Sequence, residues 1–276
     1  MSGPLTPAGS RTPEPPHRVA VVTGAARGIG AATVLALAAQ GWSVLAVDLA
    51  ADDPDLPYAL GTAPDLHALV EAAAPGRVRA FHADVRDADA LAEAVHNAEH
   101  LWGGVDIAIA AAGVIAGGAP LWEVPRAQER AVLDIDLGGV INLARAAVPA
   151  LLRRPHPRRG RFLAVSSTAA VRGLPLLAAY CAAKAGVEGL IRALARELAG
   201  TGITAAAVSP GSTDTLILRE SARLYGLPDH HDFAAQQPVG RLLDPPEIAA
   251  VLAFLAGPGG AAVTGAAVPV DGGLSV

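Results

Sequence analysis

Tyr180 and Lys184 stand four residues apart, and Ser167 lies thirteen residues before the tyrosine. On a helix, positions i and i+4 share one face, so a phenol and an ammonium would meet. A free tyrosine titrates near pH ~10 and is a poor base at neutrality. A nearby cation favours its phenolate, and an oxidised nicotinamide would add to that. Such a tyrosine can take the proton of an alcohol while hydride leaves the carbon. A serine hydroxyl can donate to the carbonyl oxygen that develops. Taken singly, these residues read as a packed tyrosine, a surface lysine and an ordinary serine. A second motif changes that reading, because Thr23-Gly24-Ala25-Ala26-Arg27-Gly28-Ile29-Gly30 follows an apolar run. Gly24 permits a tight turn, Gly28 lets backbone approach phosphate, and Gly30 lets a helix pack close to a sheet. The helix N-terminus then offers N–H groups and a positive dipole end to a pyrophosphate.

Other residues extend this site. Asp48 lies eighteen residues after Gly30. A carboxylate there accepts hydrogen bonds from a ribose and repels a 2′-phosphate, which favours NAD over NADP. Arg27 is the opposing feature, since an arginine in the glycine loop can help hold a 2′-phosphate. Asp84-Val85 falls where an adenine would lie, with a helix N-terminal charge as the alternative. Ala111-Ala112-Gly113 supplies small residues beside a cofactor. Asp229-His230-His231-Asp232 looks metal-like, but adjacent histidines are expected to point apart and no distant ligand pair stands out, so no metal is expected. The arginines between 153 and 161 read as a solvated connection rather than an RNA site, and Cys181 as a small packed residue.

The elements that must hold these residues alternate in type. Val19-Ala20-Val21-Val22 is the continuous apolar run of a parallel strand covered on both faces. A helix is expected from Gly28 to about Gln40, stopped by Gly41. Strands are then expected over 42–47, 77–82, 105–110, 161–165, 204–208 and 266–270. Helices are expected near 65–74, 88–100, 126–152, 178–198 and 245–255, with residues 214–238 irregular or helical. This alternation implies an α/β fold, a Rossmann-type doubly wound parallel sheet in one domain. Asp48, Asp84, Gly113, Ser167 and Pro210 all fall at the carboxyl ends of expected strands, where such folds bind ligands.

Bulk properties agree. The chain has 276 residues, 52% hydrophobic and 17% charged, which suits one large buried core. A net charge of −5 argues against nucleic acid or an anionic membrane as the main partner. A single cysteine excludes an internal disulfide and suits a reducing cytoplasm. Gly28 to Val47 carries no formal charge and raises the membrane question. Gly41 breaks it, so a buried helix and a buried strand are the better reading. Residues 1–17, with five prolines, read as a disordered tail ahead of the catalytic domain 18–276.

Over residues 18–276 the chain resembles the short-chain dehydrogenase/reductase family. Thr23–Gly30, Asp48, Asp84-Val85, Ser167, Tyr180, Lys184, Pro210-Gly211 with Thr213 and Thr215, and Asp271-Gly272-Gly273 carry the resemblance. It implies that Tyr180 is the general acid/base and that Lys184 tunes it and holds the nicotinamide ribose. It also implies that the segment after Pro210-Gly211 contacts the carboxamide, and that the next twenty-odd residues close over substrate. Two positions depart from the family. Ala111 stands where an asparagine is usual, and Asp136 replaces an asparagine that supports a water-bridged proton relay mainly through its main-chain carbonyl.

A narrower resemblance, to the mycofactocin-coupled branch (carveol dehydrogenase-like), rests on the long stretch between Asp48 and Asp84 with Asp53-Pro54-Asp55-Leu56-Pro57-Tyr58. Tyr180-Cys181, Ser209 to Thr213 and Leu224-Tyr225-Gly226-Leu227 add to it. It implies an NAD that lies under the inserted segment, does not exchange, and passes electrons to the peptide-derived carrier mycofactocin. The family resemblance also implies a homotetramer. Leu216, Ile217, Leu218, Leu224, Tyr225, Leu227 and Phe233 suggest a hydrophobic secondary alcohol or ketone, or else core packing. The alternatives are a dihydrodiol dehydrogenase (2,3-dihydro-2,3-dihydroxybenzoate-like) with free NAD, and a non-catalytic NAD-binding sensor.

Overall fold

A computed structural model describes residues 18–276. The expected disordered tail lies outside them. Seven strands form one parallel sheet in the order β3-β2-β1-β4-β5-β6-β7. They are β1 (Val19–Thr23), β2 (Ser43–Asp48), β3 (Val78–His82), β4 (Ile107–Ala110), β5 (Arg161–Val165), β6 (Thr204–Pro210) and β7 (Ala267–Val270). The helices are α1 (Gly28–Ala39), α2 (Ala63–Ala72), α3 (Ala88–Trp102), α4 (Arg126–Leu133), α5 (Gly139–Arg153), α6 (Ala178–Glu197), α7 (Leu216–Leu224) and α8 (Pro245–Ala256). Strand order reverses between β1 and β4, and ligands bind at that point in such sheets.

The apolar runs are explained by burial on both faces. Val19 and Val21 of β1 feed one core, packed with α3, α5 and α6, while Ala20 and Val22 feed the other, packed with α1 and α8. All four are fully buried, and a buried valine contributes roughly 1.5–3 kcal/mol. The uncharged stretch from Gly28 is a buried helix followed by a buried strand, as its glycine break implied.

One expected element differs. The helix expected over 126–152 is interrupted by a π-helical turn, Asp134–Gly138. The extra residue in that turn is too small a change to disturb an apolar periodicity. Two local features accompany it. Gly139 allows the helix to close on Val85, where a Cβ would lie 2.6 Å from Val85 Cγ2, and the Asp136 side chain is drawn inward. Such turns concentrate at functional sites. By composition, the helical run 126–153 is apolar enough to cross a membrane. Here it packs through its buried residues into the core shared with α3 and α6.

The long connection after β2 is ordered by its own chemistry. Thr62 and Asp65 cap α2 reciprocally. Asp53 is buried and pairs with Arg86 at 2.8 Å, and Leu56 enters the core. Residues 49–62 thus fold back toward the carboxyl ends of the strands.

Candidate active site

One cavity of about 750 Å³ lies at those strand ends. Every residue expected to bind cofactor lines it, together with Ser167. Asp136 does not; it sits fully buried behind the wall.

The glycine loop fits a pyrophosphate on two observations. Among the described residues no side chain caps the N-terminus of α1, so its first N–H groups lack such a partner there. Gly28 has φ +53° and faces the cavity, and an added Cβ would reach only Thr215, at 3.3 Å. At Gly30, by contrast, a Cβ would lie 1.9 Å from the Gly24 carbonyl oxygen, so only glycine lets α1 sit this close.

Asp48 is held at the end of β2, on the cavity wall. Ala26 N–H donates to its Oδ2 at 2.9 Å and Ala50 N–H to its Oδ1 at 2.8 Å. Arg27, which could have favoured a 2′-phosphate, is engaged elsewhere. Its Nε donates to Asp65 Oδ2 at 3.0 Å and its Nη2 to the Leu60 carbonyl. Asp84 is bound by Arg86 through both oxygens, at 2.6–3.0 Å. Burial opposes its charge, but the guanidinium holds the Asp84 carboxyl below the usual range.

The chemical end is built on β5 and α6. Ser166 and Ser167 follow β5 and both border the cavity, with their hydroxyls on different partners. Ser166 Oγ donates to the Lys184 carbonyl at 3.2 Å, inside the core. Ser167 and Tyr180 both line the cavity, and Ser167 Oγ accepts from Ala169 N–H at 3.1 Å. Lys184 Nζ lies 5.5 Å from the centre of the Tyr180 ring, as the i,i+4 spacing requires. The ammonium donates to the Val165 carbonyl at 3.3 Å and pairs with Asp136 Oδ2 at 3.0 Å. Asp136 Oδ1 accepts from Val114 N–H at 2.8 Å.

This ion pair modifies two expectations. Asp136, expected to act mainly through its main-chain carbonyl, commits its side chain to Lys184. Tyr180 is also not simply a phenol beside a cation. Burial pushes it up, Lys184 pulls it down, and Asp136 pushes it up again; the net direction is upward. Burial likewise raises the Asp136 carboxyl. Burial opposes the Lys184 charge, but Asp136 and Tyr180 outweigh it and raise the ammonium.

Sequence reasoning missed Tyr58. Its phenol lines the cavity, accepts from Ile115 N–H at 2.9 Å, and is raised by burial despite that bond. It is close enough to Asp136 and Tyr180 for their charges to act on it. The signal was present in the Pro-Tyr after a run of aspartates, but nothing local says that the loop folds inward.

The apolar set at 216–233 divides. Leu216, Ile217, Leu218, Tyr225, Leu227 and Phe233 line the cavity, whereas Leu224 packs over Gly118. Leu218 and Phe233 also form a small core of their own with Ala222. Tyr225 Oη donates to the Pro175 carbonyl at 2.7 Å, tying this lid to the loop before α6. The adjacent histidines do not point apart. Their ring centres lie 4.2 Å apart with planes tilted by 47°, and both Nδ1 atoms face Asp229 Oδ1. The basic loop is structural, with Arg153 on Glu99 and Arg154 on Asp106. Cys181 Sγ accepts from Leu174 N–H at 3.5 Å, so it anchors the loop before α6.

Residues 24–275 match the family model described as Enoyl-(Acyl carrier protein) reductase. The chain is 39% identical over 261 residues to the cis-4-hydroxycyclohexanecarboxylate dehydrogenase of Sinomonas cyclohexanicum, covering 94% of this chain and 97% of the relative. It is 34% identical to the (-)-trans-carveol dehydrogenase of Rhodococcus erythropolis, covering 94% and 98%. Its fold is similar to the crystal structure of carveol dehydrogenase from Mycobacterium avium in complex with NAD. The TM-score is 0.86 at 31% identity, over 93% of this chain and 97% of that one.

Proposed function

We propose that this chain, which belongs to the short-chain dehydrogenase/reductase family and is an oxidoreductase, interconverts a hydrophobic cyclic secondary alcohol and its ketone with NAD. One observation carries the reading. Ser167, Tyr180 and Lys184 face the same cavity as the glycine loop and Asp48, so a proton site and a dinucleotide site are one space. The substrate class follows two relatives named for cyclic alcohols, and apolar walls from Leu174, Pro175, Leu177 and Ile217 suit such a ring.

NAD would be held by the N-terminal turn of α1, by Asp48 at the ribose, and by Gly113, Lys184, Gly211 and Thr213 towards the nicotinamide. The preference for NAD over NADP is supported by Asp48 and by the engagement of Arg27 with Asp65. NAD supplies the hydride acceptor. The chain's own work is proton transfer and positioning. Tyr180 Oη takes the hydroxyl proton of the alcohol, and returns it when a ketone is reduced. The Ser167 hydroxyl donates to the same substrate oxygen. Lys184 holds positive charge beside both.

The inserted segment supports a further step, in which NAD stays bound between turnovers and mycofactocin removes the electrons. Residues 52–62 would lie over the adenosine end, held by the Asp53–Arg86 pair and by the Leu60 carbonyl on Arg27 Nη2. A homotetramer is part of the same reading.

The test is formation of reduced cofactor, followed by absorbance, when the NAD-loaded protein meets carveol or a 4-substituted cyclohexanol. Wild type should give it. Tyr180→Phe should lose about 10²–10⁴-fold in rate, the range for a removed general acid/base. Full activity in Tyr180→Phe would remove the assigned role.

A further inference from the structure

Five charged side chains line the cavity: Arg27, Asp48, Asp84, Arg172 and Lys184. Four are committed. Arg27 holds Asp65, Asp84 holds Arg86, Lys184 holds Asp136, and Asp48 accepts two backbone N–H groups. Arg172 differs. Its Nη1 donates to the Leu274 carbonyl, and among the described residues its guanidinium pairs with no carboxylate. An arginine presents a planar fork of donors that matches a carboxylate.

It is carried on the segment between Ser167 and Tyr180 and lines the same cavity. Arg172 follows Ser167 by five residues and precedes Tyr180 by eight. The loop that carries it is fixed at both ends. Arg172 N–H donates to the Thr168 carbonyl at 2.9 Å, and Leu174 N–H donates to Cys181 Sγ beside the tyrosine. The neighbouring lining residues Leu174, Pro175 and Leu177 are apolar. Arg172 itself is exposed, so its charge is not buried at a cost and stands at the mouth of an apolar pocket.

We infer that Arg172 recognises a carboxylate on the substrate, which makes the substrate class an alicyclic alcohol or ketone bearing an acid group away from the reacting carbon. This rests on the dehydrogenase reading of the site. The ring would lie against the apolar walls, its hydroxyl at Tyr180 and Ser167, and its carboxylate on the Arg172 fork. The fork also fixes orientation, because a ring with one charged end enters only one way round.

The experiment compares 4-hydroxycyclohexanecarboxylate with the uncharged 4-methylcyclohexanol on the NAD-loaded protein, with wild type, Arg172→Leu and Arg172→Lys. Wild type should favour the acid by about 10–100-fold in kcat/KM, the range of a charge-assisted hydrogen bond. In Arg172→Leu that ratio should fall toward one, and Arg172→Lys should keep part of it. Equal use of both substrates by wild type, or an unchanged ratio in Arg172→Leu, would overturn the inference; the second result would leave Arg172 as a tether for Leu274. Calorimetric binding of cyclohexanecarboxylate is measured in parallel. If neither alcohol reacts but binding depends on Arg172, the carboxylate site stands and the redox reading fails. If neither reacts and binding ignores Arg172, both fail.

Discussion

At the scale of single residues, Asp136 is the group that most complicates the proposed proton site, through its pair with Lys184. A carboxylate 3.0 Å from Lys184 Nζ takes up much of the positive field that would otherwise stabilise a Tyr180 phenolate. Burial, and then Asp136, hold Tyr180 above its ordinary value, with Lys184 acting against them. The sign for catalysis follows. In the proposed reaction, alcohol oxidation uses the unprotonated Tyr180, so its rate should climb with pH into the alkaline range. Asp136→Asn removes the negative charge and frees Lys184, so the rising limb should move to lower pH. A pH–rate profile of both proteins checks this, and a limb that stays in place or moves upward would contradict it. Tyr180, Lys184 and Ser167 were legible in the sequence because helix spacing and strand-end placement are local rules. Asp136 was legible as a position but not as a side chain, since its partners Lys184 and Val114 come from distant segments.

At the scale of elements, the segment after β2 is the part that the sequence described least. Its prolines and aspartates marked a long connection, and nothing in their spacing showed that Asp53 would be buried against Arg86 or that Tyr58 would reach Ile115. Those contacts join residues far apart in the chain, where pattern rules have no purchase. The π turn was illegible for the opposite reason, as one extra residue barely disturbs a helical period. If the segment holds NAD in place, Arg86 is its latch. Arg86→Ala leaves a buried Asp53 carboxylate without its partner, a change that costs about 3–5 kcal/mol where such pairs have been broken. NAD should then leave at least about tenfold faster in a gel-filtration or fluorescence assay. Retention equal to wild type, in a variant that melts cooperatively, would show that the latch lies elsewhere.

At the scale of the whole molecule, the doubly wound sheet was the most legible feature. Uninterrupted apolar strands such as Val19–Val22 require cover on both faces, and the two cores provide it. Such a sheet brings its strand ends to one edge, so the glycine loop of β1, Asp48 of β2, Ser167 after β5 and Pro210 of β6 meet without any further device. What the sheet does not settle is how long the cofactor stays. In the proposed reading, residues 52–62 would keep NAD bound between turnovers. The most direct test is the molar ratio of NAD(H) to protein after exhaustive dialysis, with the cofactor released by denaturation. A ratio near one is expected, with activity then needing an artificial electron acceptor. A ratio near zero, with activity restored by added NAD, would contradict the account and leave a dehydrogenase with a freely exchanging cofactor.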